Sequence, residues 1–512
     1  MAAYIPPEAV MLSRRASVGA LFHARVPANL QHRAVVDGAR SLSYAELEAR
    51  SNRLANAFLA MGLARGDRVG LLARNCLEYV EIELAAAKAG LILAALNWRL
   101  ADRELAHCVN LVEPKVIIAQ AQVTETLARL PLSAHKLLVL GTEYEALLDD
   151  APSTYPDLDL DPEEGLIILY TSGTTGLPKG ALISHRAMIA RAMCFASEME
   201  TPIGDNFCAW APFYHMASTD QALATVLRGG TVHVIDGYDP DRLIDVLENE
   251  TMRFFILMPG MVGPFAAILK ERQIKVKGVG TCGAMADLVP REDIAAASLA
   301  LDAPYNNSFG ATETGLPPAT SNTIPIGVAP QSLSKRQSAF CELRLVDADD
   351  NEVTLGTPGE VALRGPTLFS GYWNADETNA KDFRNGWFHM GDVLRRNPDG
   401  TLDYVDRVKY MIKSGGENIY PAEIEQVLLT NPGVHEAVVV RRPDRRWGEV
   451  PVAFIVRGQG EVSEEELQAL CRDELSSYKR PKTILFLRDE DLPRSTTGKV
   501  QRHELEARLS DA

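Results

Sequence analysis

The seven cysteines of this 512-residue chain, at 76, 108, 194, 208, 282, 341 and 471, all stand singly, and no two share a C-x-x-C spacing. An odd, scattered set argues against both a disulfide framework and a zinc site, and it fits a reducing, cytoplasmic setting. Long apolar runs are missing too. The most apolar stretch, "LAAAKAGLILAALNW" (84–98), contains Lys88 and falls short of the roughly 18 residues a membrane span needs. It reads as a buried helix followed by a strand. The opening residues, "MAAYIPPEAVMLSRRASVGALF", are broken by prolines and arginines and have no signal-peptide core. Positive charge is outnumbered, 52 Lys and Arg against 68 Asp and Glu for a net charge of −16, which argues against a general nucleic-acid binder but leaves room for a local basic site. There is no internal repeat, heptad run or low-complexity tract.

What is present is an ordinary globular composition, 46% apolar and 23% charged, in a chain too long for one core. "LSYAELEARSNRLANAFLAMGL" (42–63) places Ser43 three residues before Glu46, a capping box ahead of helically spaced apolar residues. Strand patterns follow at 67–74, 115–120, 136–141, 164–173, 253–260 and 277–284. Helical segments lie between several of them, which predicts α/β layers with mostly parallel sheets. From about 338 to 406 apolar and polar residues alternate around turns such as "DADDN" and "GTPGE", giving hairpin or small β-barrel character. The remainder carries a short α+β pattern: helices near 421–430 and 463–475, strands at 434–441, 450–457 and 483–488. The expected division is a large N-terminal domain, 1–407, and a small C-terminal one, 408–512.

Chemistry concentrates first in "TSGTTGLPKG" (171–180). Gly173, Gly176 and Gly180 let consecutive N–H groups converge on an anion. Thr171, Ser172, Thr174 and Thr175 add hydroxyls, and Lys179 adds charge. This is not the G-x-x-x-x-G-K-[ST] P-loop, because Gly180 stands where a magnesium-binding hydroxyl would be. The alternative is a bland turn between strand and helix. Four further stretches bear on the same question: "PFYHMAS" (212–218), "NNSFGATETG" (306–315), "WFHMGD" (387–392) and "LPRSTTGKVQR" (492–502).

Together, in this order and across nearly the whole chain from about residue 42, these stretches resemble the motifs of the adenylate-forming superfamily. That family includes acyl-CoA synthetases, peptide-synthetase adenylation domains and beetle luciferases. The resemblance implies an α/β fold with a mobile α+β C-terminal domain that turns about a hinge at Lys409. It implies ATP and Mg²⁺ as well. Phe309 would lie against adenine with Asn307, Gly310 and Ala284 nearby, Thr312 would meet phosphate, and Glu313 would hold the metal. A single hard carboxylate beside nucleotide phosphates is what Mg²⁺ ordinarily uses. Asp392 would accept the ribose hydroxyls, Arg407 would reach the ribose or phosphate region, and Lys499 would be the catalytic lysine of the adenylation step. Phe309 replaces the family's usual Tyr, and Met390 its usual Thr.

His215 matches an aromatic-His element beside the substrate carboxylate. Its expected neighbours Met216, Ala217, Ala284, Met285, Ser308, Gly315 and Leu316 are mostly small or apolar. An aliphatic or aromatic monocarboxylate is therefore the expected substrate. Two acceptors remain open. "DRRWGEV" (444–450) and "SYKRPK" (477–482) resemble coenzyme A-binding segments, with Trp447 along the pantetheine path. Tyr478, Arg480 and Lys482 would sit on the CoA nucleotide, and Gly415 and Gly416 near the thiol. The other acceptor is a carrier protein, although no carrier segment with a Ser attachment site follows. The working expectation is an AMP-forming carboxylate–CoA ligase, monomer or homodimer.

Overall fold

The computed structural model describes residues 6–132, 136–171, 177–415, 417–458, 460–494 and 500–510. They group into two compact units. The first comprises 1–342 with 364–385, and the second 343–363 with 386–512. The β-rich segment near 343–363 and 386–407 thus groups with the C-terminal residues.

Three sheets build the first unit. A six-stranded sheet runs, in spatial order, Lys136–Val139, Val116–Ala119, Arg68–Leu72, Ile92–Ala95, Gly165–Thr171 and Lys179–Ser184. The first five are parallel and the last is antiparallel. Strands buried on both faces read as unbroken apolar runs, and "VIIA" and "ILAA" are buried at every position. A second sheet orders Arg40–Ser43, Arg33–Asp37, Val232–Val234 and Phe207–Ala209. A third orders Met252–Phe255, Val279–Cys282, Tyr305–Ala311 and Gly315–Ile324.

The capping box forms as expected. Glu46 N–H donates to Ser43 Oγ at 3.2 Å and Ser43 N–H donates to Glu46 Oε2 at 2.7 Å, starting the helix Tyr44–Ala60. The apolar stretch resolves into the helix Leu77–Ala89, ended by left-handed Gly90, and the strand Ile92–Ala95. In that helix Lys88 is buried and donates to Glu48, Ser51 and Asn52 at 2.6–2.7 Å. Its apolar surroundings still pull its pKa down to about 8.

Two sheets build the second unit. One orders Glu342–Val346, Pro358–Arg364, Phe388–Arg396 and Leu402–Arg407. The other orders Glu417–Ile419, Ile412–Ser414, Gly448–Arg457 and Val434–Asp444, with Thr483–Leu487 added to Gly448–Arg457. The helices Pro421–Leu428 and Glu464–Glu474 pack on the second sheet around Ile424, Leu428, Leu467 and Cys471. No disulfide joins the cysteines among the described residues, and six of the seven are buried. No helix among the described residues is long and apolar enough to cross a membrane.

Candidate active site

The phosphate-type loop joins two antiparallel strands, not a strand and a helix, so the bland-turn alternative also assumed the wrong neighbour. Thr171 ends one strand and pairs with Lys179, which begins the next. Ser172, Gly173, Thr174, Thr175 and Gly176 lie outside the described residues. Gly180 has a packing reason: a Cβ there would come within 2.8 Å of Ile168 Cγ2. The chain at 370–373 runs beside this strand, with Trp373 N–H on Gly180 O at 2.8 Å and Leu182 N–H on Gly371 O at 3.0 Å.

The "NNSFGATETG" stretch is a tight hairpin, strand Tyr305–Ala311 returning as Gly315–Ile324. Thr314 stitches its turn, accepting from Ala311 N–H at 3.0 Å and donating to Pro317 O at 2.6 Å. Gly310 is obligatory, since a Cβ would meet Gly315 O at 2.1 Å. On the strand, Asn307 Nδ2 donates to Leu333 O and Ser334 O at 3.0 and 3.2 Å. Its buried Oδ1 has no partner among the described residues. Phe309 is half-buried, and Thr312 and Glu313 occupy the half-buried turn.

Glu313 is held twice. Its carbonyl accepts from Phe369 N–H at 2.9 Å, and its Oε1 accepts from the Tyr372 hydroxyl at 2.7 Å. The Tyr372 ring carries the Lys179 ammonium 4.0 Å from its centroid, and Asp382 Oδ2 lies 3.9 Å from the same nitrogen. The structure therefore gathers Lys179 and Glu313, 134 residues apart in sequence numbering, around one aromatic side chain. Mg²⁺ fits Glu313, a lone hard carboxylate steadied by a neutral donor. No cluster of three or more metal-ligating side chains occurs among the described residues.

His215 has a structural duty that the sequence did not disclose. It is the N-cap of the helix Met216–Leu227, its Nδ1 accepting from Ala217 N–H at 3.2 Å. Neutral His215 therefore carries its proton on Nε2. Behind this helix lies a residue that motif reading missed. Arg191 is buried and donates to Asp220 Oδ2 at 3.1 Å, Thr367 O at 3.0 Å and Thr312 O at 2.8 Å. It ties the helix Met216–Leu227 to the turn of the 305–324 hairpin. Met285 adopts a left-handed φ of 50° after Gly283, whose Cβ would collide with the Tyr305 ring at 2.2 Å. Tyr305 in turn donates to Ala284 O at 3.0 Å.

In the second unit, Asp392 is 1% exposed and takes a two-pronged contact from Arg407, Nε to Oδ1 at 2.8 Å and Nη2 to Oδ2 at 3.3 Å. These two expected ribose ligands contact each other. Asp406, three residues before the expected hinge, accepts from Arg407 N–H and from Ala422 N–H, the latter in the first turn of the helix Pro421–Leu428. Burial nonetheless raises its pKa to about 6.

Lys409 lies in a short 3₁₀ turn, its ammonium 4.8 Å from the Tyr410 ring. Gly415 has φ 60° and is covered by Trp447, whose Cε3 would sit 2.7 Å from a Cβ. Gly416 and Lys499 lie outside the described residues. Tyr478, Trp447 and Lys482 are exposed. Arg480 instead donates to Leu475 O and Arg472 O at 2.9 and 3.0 Å, capping the helix Glu464–Glu474. The nucleotide role expected for Arg480 therefore competes with a capping role that its sequence neighbourhood did not reveal.

The first unit thus brings together two of the side chains expected of an adenylate-forming enzyme, Lys179 on the ring face of Tyr372 and Glu313 at its hydroxyl. Residues 22–373 match the AMP-binding enzyme family, and residues 423–499 match its C-terminal domain, so the chain belongs to that family. It is 35% identical over 481 residues to a feruloyl-CoA synthase of an Amycolatopsis species, spanning 93% of this chain and 96% of that one. It is 34% identical over 478 residues to an indoleacetate–CoA ligase of Aromatoleum aromaticum, spanning 91% and 93%. A solved fatty acyl-CoA synthetase of Mycobacterium tuberculosis superposes with a TM-score of 0.78 at 27% identity, spanning 97% of this chain and 98% of that one. The reaction is the activation of a carboxylic acid as acyl-AMP and its transfer to coenzyme A.

Proposed function

We propose that the acid is an aromatic monocarboxylate and that the residues named above divide the two half-reactions between them. The observation that carries the division of labour is the Lys179–Tyr372–Glu313 arrangement, which sets a cation on the face of one ring and a carboxylate at its hydroxyl. The substrate class rests on the small and apolar residues beside His215, Ala217 and Ala284 among them, and on the aryl acids named in two relatives.

In adenylation, a carboxylate oxygen attacks the α-phosphorus of ATP and the bond to the bridging oxygen breaks, releasing pyrophosphate. No general base is needed, because a carboxylate with a pKa of roughly 4 is already ionised. Lys179 and the 171–180 loop hold the β- and γ-phosphates, Phe309 and Asn307 hold adenine, and Asp392 holds the ribose. Glu313 and Thr312 would hold Mg²⁺ and the phosphate it neutralises; bound there, the cation supplies charge stabilisation. Lys499 adds an ammonium at the α-phosphate and the carboxylate. In the second step the CoA thiolate adds to the acyl carbonyl carbon, and AMP leaves with the electron pair of the bond between that carbon and its phosphate oxygen. Gly415 and Gly416 admit the pantetheine, and Trp447, Tyr478, Arg480 and Lys482 receive the rest of CoA. Rotation about Lys409 exchanges the two steps. The enzyme works in the cytoplasm as a monomer or homodimer.

The test is pyrophosphate release over matched aryl and alkyl acids, with and without CoA. Release with hydroxycinnamates or arylacetates, and thioester formation only with CoA, is the expected result. A preference for alkyl acids of similar size would overturn the substrate class. Lys499→Ala should abolish adenylation while leaving thioester formation from supplied acyl-AMP largely intact, and equal loss of both steps would overturn its role.

A further inference from the structure

We infer that Tyr372 is a positioning residue for the metal-binding carboxylate, spacing Glu313 from the phosphate-binding Lys179. The inference rests on Glu313 being the carboxylate that meets the cation.

The geometry separates this side chain's two contacts. Its hydroxyl donates to Glu313 Oε1 at 2.7 Å, and its ring face lies 4.0 Å from Lys179 Nζ. A carboxylate and an ammonium this close to a common neighbour would otherwise collapse into a direct pair, because nothing in their chemistry prevents it. The phenol keeps them apart, with one group on its polar tip and the other on its π face. Asp382 adds a second restraint on the lysine at 3.9 Å.

Tyr372 is itself fixed independently of those contacts. Asn379 clamps its backbone at both ends, Tyr372 N–H donating to Asn379 Oδ1 at 2.7 Å and Asn379 Nδ2 donating to Tyr372 O at 2.8 Å. Asn379 belongs to the helix Asp376–Asp382, which also supplies Asp382. The flanking Gly371 and Trp373 bond to the strand that carries Lys179, and Phe369 packs edge-on against the Tyr372 ring at 4.9 Å. The backbone is thus held by one set of bonds and the hydroxyl used by another. Removing the hydroxyl alone therefore leaves the scaffold in place.

The experiment is an electron paramagnetic resonance titration of Mn²⁺ into the full-length enzyme with α,β-methylene-ATP, comparing the wild type, Tyr372→Phe and Glu313→Gln. A hydrogen bond from a neutral donor to a charged acceptor is among the stronger kinds in proteins. Tyr372→Phe should therefore weaken Mn²⁺ binding in the ternary complex at least fivefold, with metal-free nucleotide affinity unchanged. In turnover, the half-saturating Mg²⁺ concentration should rise by a similar factor. Mn²⁺ affinities within twofold of each other for the wild type and Tyr372→Phe would overturn the assignment and leave Glu313 untouched. A loss shared equally by metal-free nucleotide binding would make Tyr372 a general fold contact and also overturn it. If Glu313→Gln binds Mn²⁺ as tightly as the wild type, the reading of Glu313 fails and this inference fails with it.

Discussion

Replacing Arg191 by Met tests how the first unit holds the helix Met216–Leu227 and the turn at Thr312 together. Arg191 and Asp220 side chains are each 3% exposed, 3.1 Å apart. At an effective dielectric near 20 their attraction is about 5 kcal/mol, against several kcal/mol per ion for desolvation. The intact pair is therefore near break-even, while an orphaned member is not. With Arg191 gone, the buried Asp220 escapes most cheaply by binding a proton. At pH 7 that costs about 4 kcal/mol, three units above its ordinary pKa at 1.36 kcal/mol each. Thr312 O and Thr367 O lose donors as well. The expected deficit is about 3–5 kcal/mol.

The sign of its pH dependence is distinctive. Burial already raises the Asp220 pKa with Arg191 opposing it, and removing Arg191 raises it further. The folded variant then binds a proton that the unfolded chain does not. Its stability rises as pH falls, so the deficit should shrink by about 1.4 kcal/mol per unit from pH 7.5 to 6. Urea unfolding followed by circular dichroism at several pH values reads this directly. A deficit below 1 kcal/mol, or one that stays constant across that range, would refute the reasoning.

Three further outcomes follow from the structure. Gly180→Ser, which would restore a P-loop-like hydroxyl, should instead destabilise by about 1–3 kcal/mol through overpacking against Ile168, read as a lowered melting temperature. His215→Ala should cost about 0.5–2 kcal/mol by uncapping the helix Met216–Leu227, with Asn recovering most of it in the same measurement. Asp406→Asn removes a carboxyl that burial lifts to about 6. A raised folded pKa means that wild-type stability is lost as pH rises from about 4 through 6. Relative to the wild type, Asp406→Asn should therefore gain up to about 3 kcal/mol over that interval, checked by unfolding at paired pH values.

Local signals with a fixed period or spacing were legible in the chain. The Ser43–Glu46 box, the apolar strands and the helix-to-strand break at Gly90 are decided within a few residues, because caps, burial on both faces and a left-handed turn act locally. The residue types for phosphate and metal chemistry were legible too, as strings around Lys179 and Glu313. Their partners were not. Tyr372 meets Glu313 across 59 residues and Arg191 meets Thr312 across 121, and no periodicity links positions so far apart. Arg480 and His215 show the converse: read as ligand contacts, both also serve helix ends, a duty set by where the neighbouring helix stops.

The sequence by itself thus determined the kind of chemistry, since anion loops and hard carboxylates are composed from adjacent residues. Tertiary structure decided which carboxylate is steadied, which lysine shares its ring and which arginine is already committed, because those depend on how distant strands and loops pack.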